Sequence, residues 1–255
     1  MNEIKEGFMK LKKSIIQSIW VLGSTSEVAR SICLLLAEYG CKNFHLLARN
    51  HIENKKFAEE LEQRFEVVVN CKQIDLLLDA KIKNETLLDV GDFDLYLITA
   101  GSLGNAQLAQ VDAEEALSIT AANYTGLIRW ITAIAKPERL DKLSRLWVLS
   151  SVAADRGRPS NYHYGAAKAA LSSLCEGLLL RCHGKPFAVR IIKAGFIDTK
   201  MTMGKSPAAL TVSSRSVAID LLRRPNRRGF EYLPWWWAPL MMLVRLLPSS
   251  VVSKL

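Results

Sequence analysis

The chain has 255 residues, of which 49% are hydrophobic and 23% charged, a balance that suits one globular α/β domain with a full core and excludes a disordered or fibrous chain. The formal net charge of +9 suits anionic lipid, phosphate or nucleic acid, but none of the familiar nucleic-acid motifs accompanies it, so lipid or phosphate ranks above DNA or RNA. Five cysteines without a Cys-x-x-Cys pair and with little histidine nearby point away from a disulfide framework and from a metal site, and towards a reducing cytoplasm.

In chain order, Lys5, Lys10, Lys12 and Lys13 precede the apolar run Ile15 to Leu22, which imitates a signal peptide. The run is short and broken by Gln17 and Ser18, and cleavage after it would delete the segment leading into a glycine turn, so it is expected to be a first strand behind a basic tail. Ile19–Leu22, Asn43–Leu47, Glu66–Asn70, Asp94–Thr99, Leu146–Ser150 and Phe187–Lys193 have strand character. The segments Ser26–Tyr39, Ile52–Arg64, Glu114–Ala135 and Asn161–Cys182 between them have helical character. Such alternation predicts a doubly wound parallel sheet of the Rossmann type over residues 1–255, with ligands at the carboxyl ends of its strands.

After the first strand comes Gly23-Ser24-Thr25-Ser26-Glu27-Val28-Ala29. The glycine allows a tight turn, and the free N–H groups of Thr25, Ser26, Glu27 and Val28 at a helix start can receive a pyrophosphate. Only one of three expected glycines is present, and Glu27 brings a carboxylate towards that anion; an ordinary strand–turn–helix capped by Ser26 is the competing account. The second strand ends at Arg49 with no Asp or Glu to hold a ribose 2′-hydroxyl, which favours NADP(H), with NAD(H) second. Asp75 and Leu76 follow the third strand at the place for adenine, and Ala100-Gly101 follow the fourth with the small backbone a cofactor needs.

Ser151 ends the fifth strand, and Tyr164-x-x-x-Lys168 lies in a predicted helix. Residues four apart share a helix face, so the Lys168 ammonium is expected beside the Tyr164 phenol, favouring its ionised form. A phenol titrates near pH 10, so action as a base at neutral pH needs a drop of about three units, roughly 4 kcal/mol. Ser151 would hold the oxygen that Tyr164 protonates or deprotonates.

Taken with Thr99-Ala100-Gly101, Asn123-Tyr124, Ser150-Ser151 and Ala194-Gly195-Phe196-Ile197-Asp198-Thr199, these motifs resemble the short-chain dehydrogenase/reductase superfamily over nearly the whole chain. The resemblance implies an NAD(P)-dependent oxidoreductase in which Asn123 kinks its helix and anchors a proton-relay water, Ser151 orients substrate and Tyr164 is the acid/base. Lys168 would bind the nicotinamide ribose and Thr199 the carboxamide. It also implies a homodimer or tetramer built on the Glu114–Ala135 and Asn161–Cys182 helices. The chain departs from the family pattern at Glu27 and at Ala194, where proline is common. Within the superfamily it is similar to the reductase subunit of the decaprenylphosphoryl-ribose 2′-epimerase system in Gly23-Ser24-Thr25-Ser26-Glu27, Asn123-Tyr124-Thr125, Leu210-Thr211-Val212 and the tail from Trp237 to Leu255. That likeness implies a lipid-linked keto-pentose substrate and a flavin-dependent oxidase partner. A short-chain reductase of a free lipid or small carbonyl compound, and a non-catalytic dinucleotide sensor, stand as alternatives.

Phe230 to Leu247 is rich in Trp and aliphatic residues but is interrupted by Glu231, Pro234, Pro239 and Arg245, so it is too short to span a bilayer. With Arg223, Arg224, Arg227, Arg228 and Lys254 nearby, residues 235–255 suit peripheral contact at the inner face of the membrane, with a core or dimer helix over the pocket as the alternative. In the loop between Ser151 and Tyr164, Arg156 or Arg158 would clamp a phosphate, with solvated loop charges as the alternative.

Overall fold

The computed structural model describes residues 15–78, 90–202 and 207–253. Strand β1 (Ser18–Leu22) sends Ile19 and Val21 into one core and Trp20 and Leu22 into another. A strand whose side chains alternate between two apolar layers reads as an unbroken hydrophobic run, which is why this segment was legible as sheet. Strands β2 (Asn43–Ala48), β3 (Val68–Gln73), β4 (Leu95–Ile98), β5 (Arg145–Ser151), β6 (Ala188–Ala194) and β9 (Gly229–Leu233) complete a seven-stranded parallel sheet in the order β3-β2-β1-β4-β5-β6-β9. The third strand begins and ends later than the expected Glu66–Asn70. Two short strands, β7 (Phe196–Asp198) and β8 (Thr211–Ser213), pair separately.

Helices α1 (Glu27–Glu38), α2 (His51–Arg64) and α7 (Ser214–Arg223) cover one face. On the other face lie α4 (Gly126–Ile134) and α6 (Tyr162–Arg181). The order reverses at β1, whose neighbours are β2 and β4, so a crevice opens at the carboxyl ends of β1 and β4.

Two expectations need correction. The single helix over Glu114–Ala135 is instead α3 (Ala113–Thr120), a π-helical turn at Ala121–Thr125, and α4. The buried Asn123 side chain donates to the Ile119 carbonyl at 2.8 Å, taking a backbone acceptor at the widened turn. The tail, read as one apolar segment from Phe230 to Leu247, is in fact two elements. Phe230 to Leu233 belong to edge strand β9, in register with Ile191 to Ala194. Its Glu231 is buried against Arg190, joined at the rim by Arg224 and Arg227.

After a short connection, α8 (Trp237–Leu246) seats Trp237 and Met241 against Val152 and Phe196. Its other face leaves Met242 69%, Leu243 58% and Leu246 76% exposed. Among the described residues no helix is long and apolar enough to cross a membrane.

Candidate active site

The turn after β1 rests on two features of sequence. Gly23 has φ +94°, and a Cβ there would lie 2.5 Å from the Ala100 nitrogen, so the turn and the approach of the β4 loop both require glycine. Ser24 donates to Asn54 Oδ1 at 2.6 Å, and the buried Asn54 amide donates to the Leu46 and Lys72 carbonyls, pinning the turn to β2 and β3. Ser26 occupies the N-cap of α1 in extended geometry but its side chain makes no capping bond. The first-turn N–H groups therefore lack a side-chain acceptor from the cap. Glu27, the departure that brought a carboxylate to this turn, accepts the backbone N–H of Lys200 at 3.0 Å, while the Lys200 ammonium pairs with Glu53 at 3.1 Å.

A cleft of about 590 Å³ runs from this turn past Arg49, Asp75 and Leu76, with Gly23, Thr25, Glu27, Ala100 and Gly101 along it. It continues into a second cavity of about 540 Å³, where Thr25, Ala100 and Gly101 recur and Ser26, Val28, Ser151, Tyr164 and Thr199 join the walls. Asn123 and Lys168 stand just behind: a Cβ on Gly101 would lie 2.6 Å from Asn123 Oδ1 and 3.1 Å from Lys168 Nζ. The candidate cofactor and catalytic residues thus gather along this cleft or, for Asn123 and Lys168, just behind it.

At its centre, Lys168 Nζ lies 5.9 Å from the Tyr164 ring centroid and donates to the Leu149 carbonyl at 3.0 Å. Both side chains are buried. Burial brings the lysine down to about 8 and pushes the Tyr164 phenol up, against a smaller downward pull from the Ser151 hydroxyl. The ammonium expected to lower the phenol is thus directed at a carbonyl, and desolvation dominates the tyrosine. Asn123 is fully used by the backbone: it donates to the Ser102 carbonyl at 2.6 Å and to Ile119, and accepts from the Ser102 N–H at 3.2 Å.

The lining of the second cavity is largely apolar, with Val152, Phe196 and Ile197, and with Leu103 and Met201 shared with the dinucleotide cleft. Between β5 and α6, Asp155 is gripped by the Lys193 ammonium and by the Tyr232 hydroxyl, the latter at 2.8 Å. This ties the loop to β6 and β9. Arg156 donates to the Leu247 carbonyl at 3.5 Å, away from the cavity, whereas Arg158 lines it.

Residues 17–209 match the family model described as short chain dehydrogenase. The chain belongs to the short chain dehydrogenase family. As a member it is an NAD(P)-dependent oxidoreductase. An uncharacterised oxidoreductase of Mycobacterium tuberculosis is 29% identical over 239 residues, 92% of this chain and 95% of that one. A 3-oxoacyl-[acyl-carrier-protein] reductase of Chlamydia muridarum is 26% identical over 190 residues, 73% of this chain and 76% of that one. Among solved structures, a short-chain dehydrogenase from Sphingobium yanoikuyae in complex with NADPH superposes with a TM-score of 0.76 at 19% identity, covering 91% of this chain and 97% of that one.

The residues present fit the cofactor of a short chain dehydrogenase. The uncapped first turn of α1 and the close approach at Gly23 form a backbone cradle for a diphosphate. Arg49, exposed at the end of the cleft, has no side-chain hydrogen bond or ion pair among the described residues. Sequence reasoning missed Asn54, Asp155, Lys193 and Tyr232, which position the turn and the loop between Ser151 and Tyr164. Of these only Asp155, inside the loop already singled out, carried a local signal.

Proposed function

We propose that this chain is an NADPH-dependent reductase of a ketone carried on a polyprenyl-phosphate-linked sugar. The carrying observation is the buried Tyr164 phenol, kept protonated by desolvation beside Ser151 on a cavity continuous with the dinucleotide cleft. A phenol that holds its proton at neutral pH suits donation to a developing alkoxide, which is the reductive direction. The dinucleotide, when bound, supplies the hydride. Ser151 holds the carbonyl oxygen, Tyr164 Oη delivers the proton, and Asn123 and Lys168 hold the surrounding backbone at Ser102, Ile119 and Leu149. Lys168 and Thr199 also take the nicotinamide ribose and carboxamide, and Arg49 takes the 2′-phosphate.

A lipid-linked substrate is supported by the apolar cavity wall and by the outward Met242, Leu243 and Leu246 of α8, with Trp235 75% exposed beside them. An exposed apolar helix face next to arginines suits contact with an anionic membrane surface at its cytoplasmic side. In this reading a flavin-dependent oxidase supplies the ketone, and the enzyme works as a homodimer or tetramer.

The test is NADPH oxidation with a polyprenyl-phosphoryl keto-pentose in anionic vesicles, comparing the wild type with Tyr164→Phe. Turnover in the wild type that falls at least about a hundredfold in the variant, with NADPH still bound, is expected for loss of the general acid. Retained turnover in Tyr164→Phe would remove the tyrosine from the chemistry. No turnover of this ketone alongside turnover of a short free ketone would move the enzyme to the small-carbonyl class.

A further inference from the structure

Arg158 lines the substrate cavity together with Ser151, Asn161 and Tyr164. Its Nε is buried with no hydrogen-bond partner, and among the described residues its guanidinium makes no ion pair or hydrogen bond of any kind. The nearby carboxylates are committed elsewhere: Asp155 to Lys193 and Tyr232, Glu27 to the Lys200 backbone. Arg156, two positions away, reaches the Leu247 carbonyl. The cavity therefore holds one lysine or arginine among its lining residues, in a mostly apolar wall, and among the described residues no carboxylate pairs with it.

A half-desolvated guanidinium without a counter-charge is unfavourable in the free protein, and a ligand oxyanion removes that penalty through paired, charge-assisted bonds. We infer that Arg158 is a specificity-determining anchor for an oxyanion, a phosphate or carboxylate, borne by the carbonyl substrate on the Ser151–Tyr164 side of the cleft. This rests on the reductase reading for its catalytic consequence, but not for the binding itself. The loop is fixed by the Asp155 contacts to β6 and β9, so the anchor is held at a set distance from the reacting carbonyl. It thus selects where on the substrate the charge must sit.

Two measurements test it. With the protein saturated in NADP+, so that the dinucleotide sites for phosphate are filled, inorganic phosphate and acetate are titrated against wild type and Arg158→Gln. Phosphate or acetate binding that weakens about thirtyfold or more in the variant is expected for a buried charge pair that loses one partner. Binding unchanged by the substitution would overturn the anchor. In turnover, a ketose phosphate, a keto acid and the matching neutral ketose are compared. The ratio of kcat/KM for the anionic over the neutral ketone should fall about thirtyfold in Arg158→Gln and recover in part in Arg158→Lys. The better of the two anions identifies the group. A ratio that does not move refutes the specificity role while leaving the reductase standing. Anion binding lost in Arg158→Gln, with no ketone reduced by the wild type, keeps the anchor and sinks the reductase reading. A merely structural arginine would lower the melting temperature on replacement, whereas removal of an unpaired cation should leave it equal or higher.

Discussion

Gly195 stands where the cavity wall meets α8, and Gly195→Ala tests how that helix is seated. A Cβ at this position would come 1.8 Å from Trp237 Nε1, 2.1 Å from Cε2 and 2.4 Å from Cδ1. The indole is 5% exposed, stacked on Trp236 at 5.0 Å and edge-on to Phe196 at 5.5 Å, so it has no free direction in which to yield. Overpacking of this kind costs about 1–3 kcal/mol, and expulsion of a buried tryptophan about 3–5 kcal/mol. We expect about 3 kcal/mol, which at about 2–4 °C per kcal/mol for a chain of this size lowers Tm by about 6–12 °C. The assay is thermal and urea unfolding of wild type, Gly195→Ala, Trp237→Ala and the double variant. With the indole gone, the added methyl should cost almost nothing, giving a coupling of about 2 kcal/mol or more. An equal cost in both backgrounds, or none in the wild type, would refute the contact.

Two further outcomes follow from the site. Burial brings the Lys168 ammonium down to about 8 in the folded protein, from an ordinary lysine value of 10.5. Between these values the unfolded chain holds the proton and the folded one does not, so stability should rise with pH from about 8 to about 10.5 and carry the full burial penalty below 8. That penalty is about 3 kcal/mol, and about 2 kcal/mol once the lost bond to Leu149 is set against it, so Lys168→Met should be more stable at pH 7 yet slower in turnover, as checked by denaturant unfolding beside NADPH oxidation. A less stable variant at pH 7 would contradict this. Arg49→Ala should weaken NADPH about tenfold or more while changing NADH little, measured by fluorescence titration, and an equal loss for both would remove Arg49 from the 2′-phosphate.

The central strands were legible because both of their faces are apolar, so Ile19 to Leu22 and Leu146 to Ser150 stand out against their helical neighbours. Strand β9 was not, because Glu231 interrupts its apolar pattern and its partner Arg190 lies in a distant part of the sequence. Only the fold brings that buried pair together. The π-turn was invisible as backbone geometry, since the helical periodicity runs through Asn123, although the family motif marked the residue. The four residues Asn123, Ser151, Tyr164 and Lys168 were legible from spacing and motif, whereas the direction of the tyrosine shift was not, because desolvation depends on what covers the phenol. Glu27 looked hostile to a diphosphate in the sequence. Its acceptor role towards Lys200 requires a loop far along the chain.

The family match ends at residue 209, yet Val152 and Phe196 of the cavity wall lean on Trp237 and Met241, and Asp155 of the substrate loop is held by Tyr232. The residues that line the cavity therefore lie within the matched part of the chain, while part of its wall is braced from beyond it. A change at Trp237, Met241 or Tyr232 reaches the cavity through Val152, Phe196 and Asp155, so the fit of a substrate is open to alteration from residues that do not themselves line the cavity.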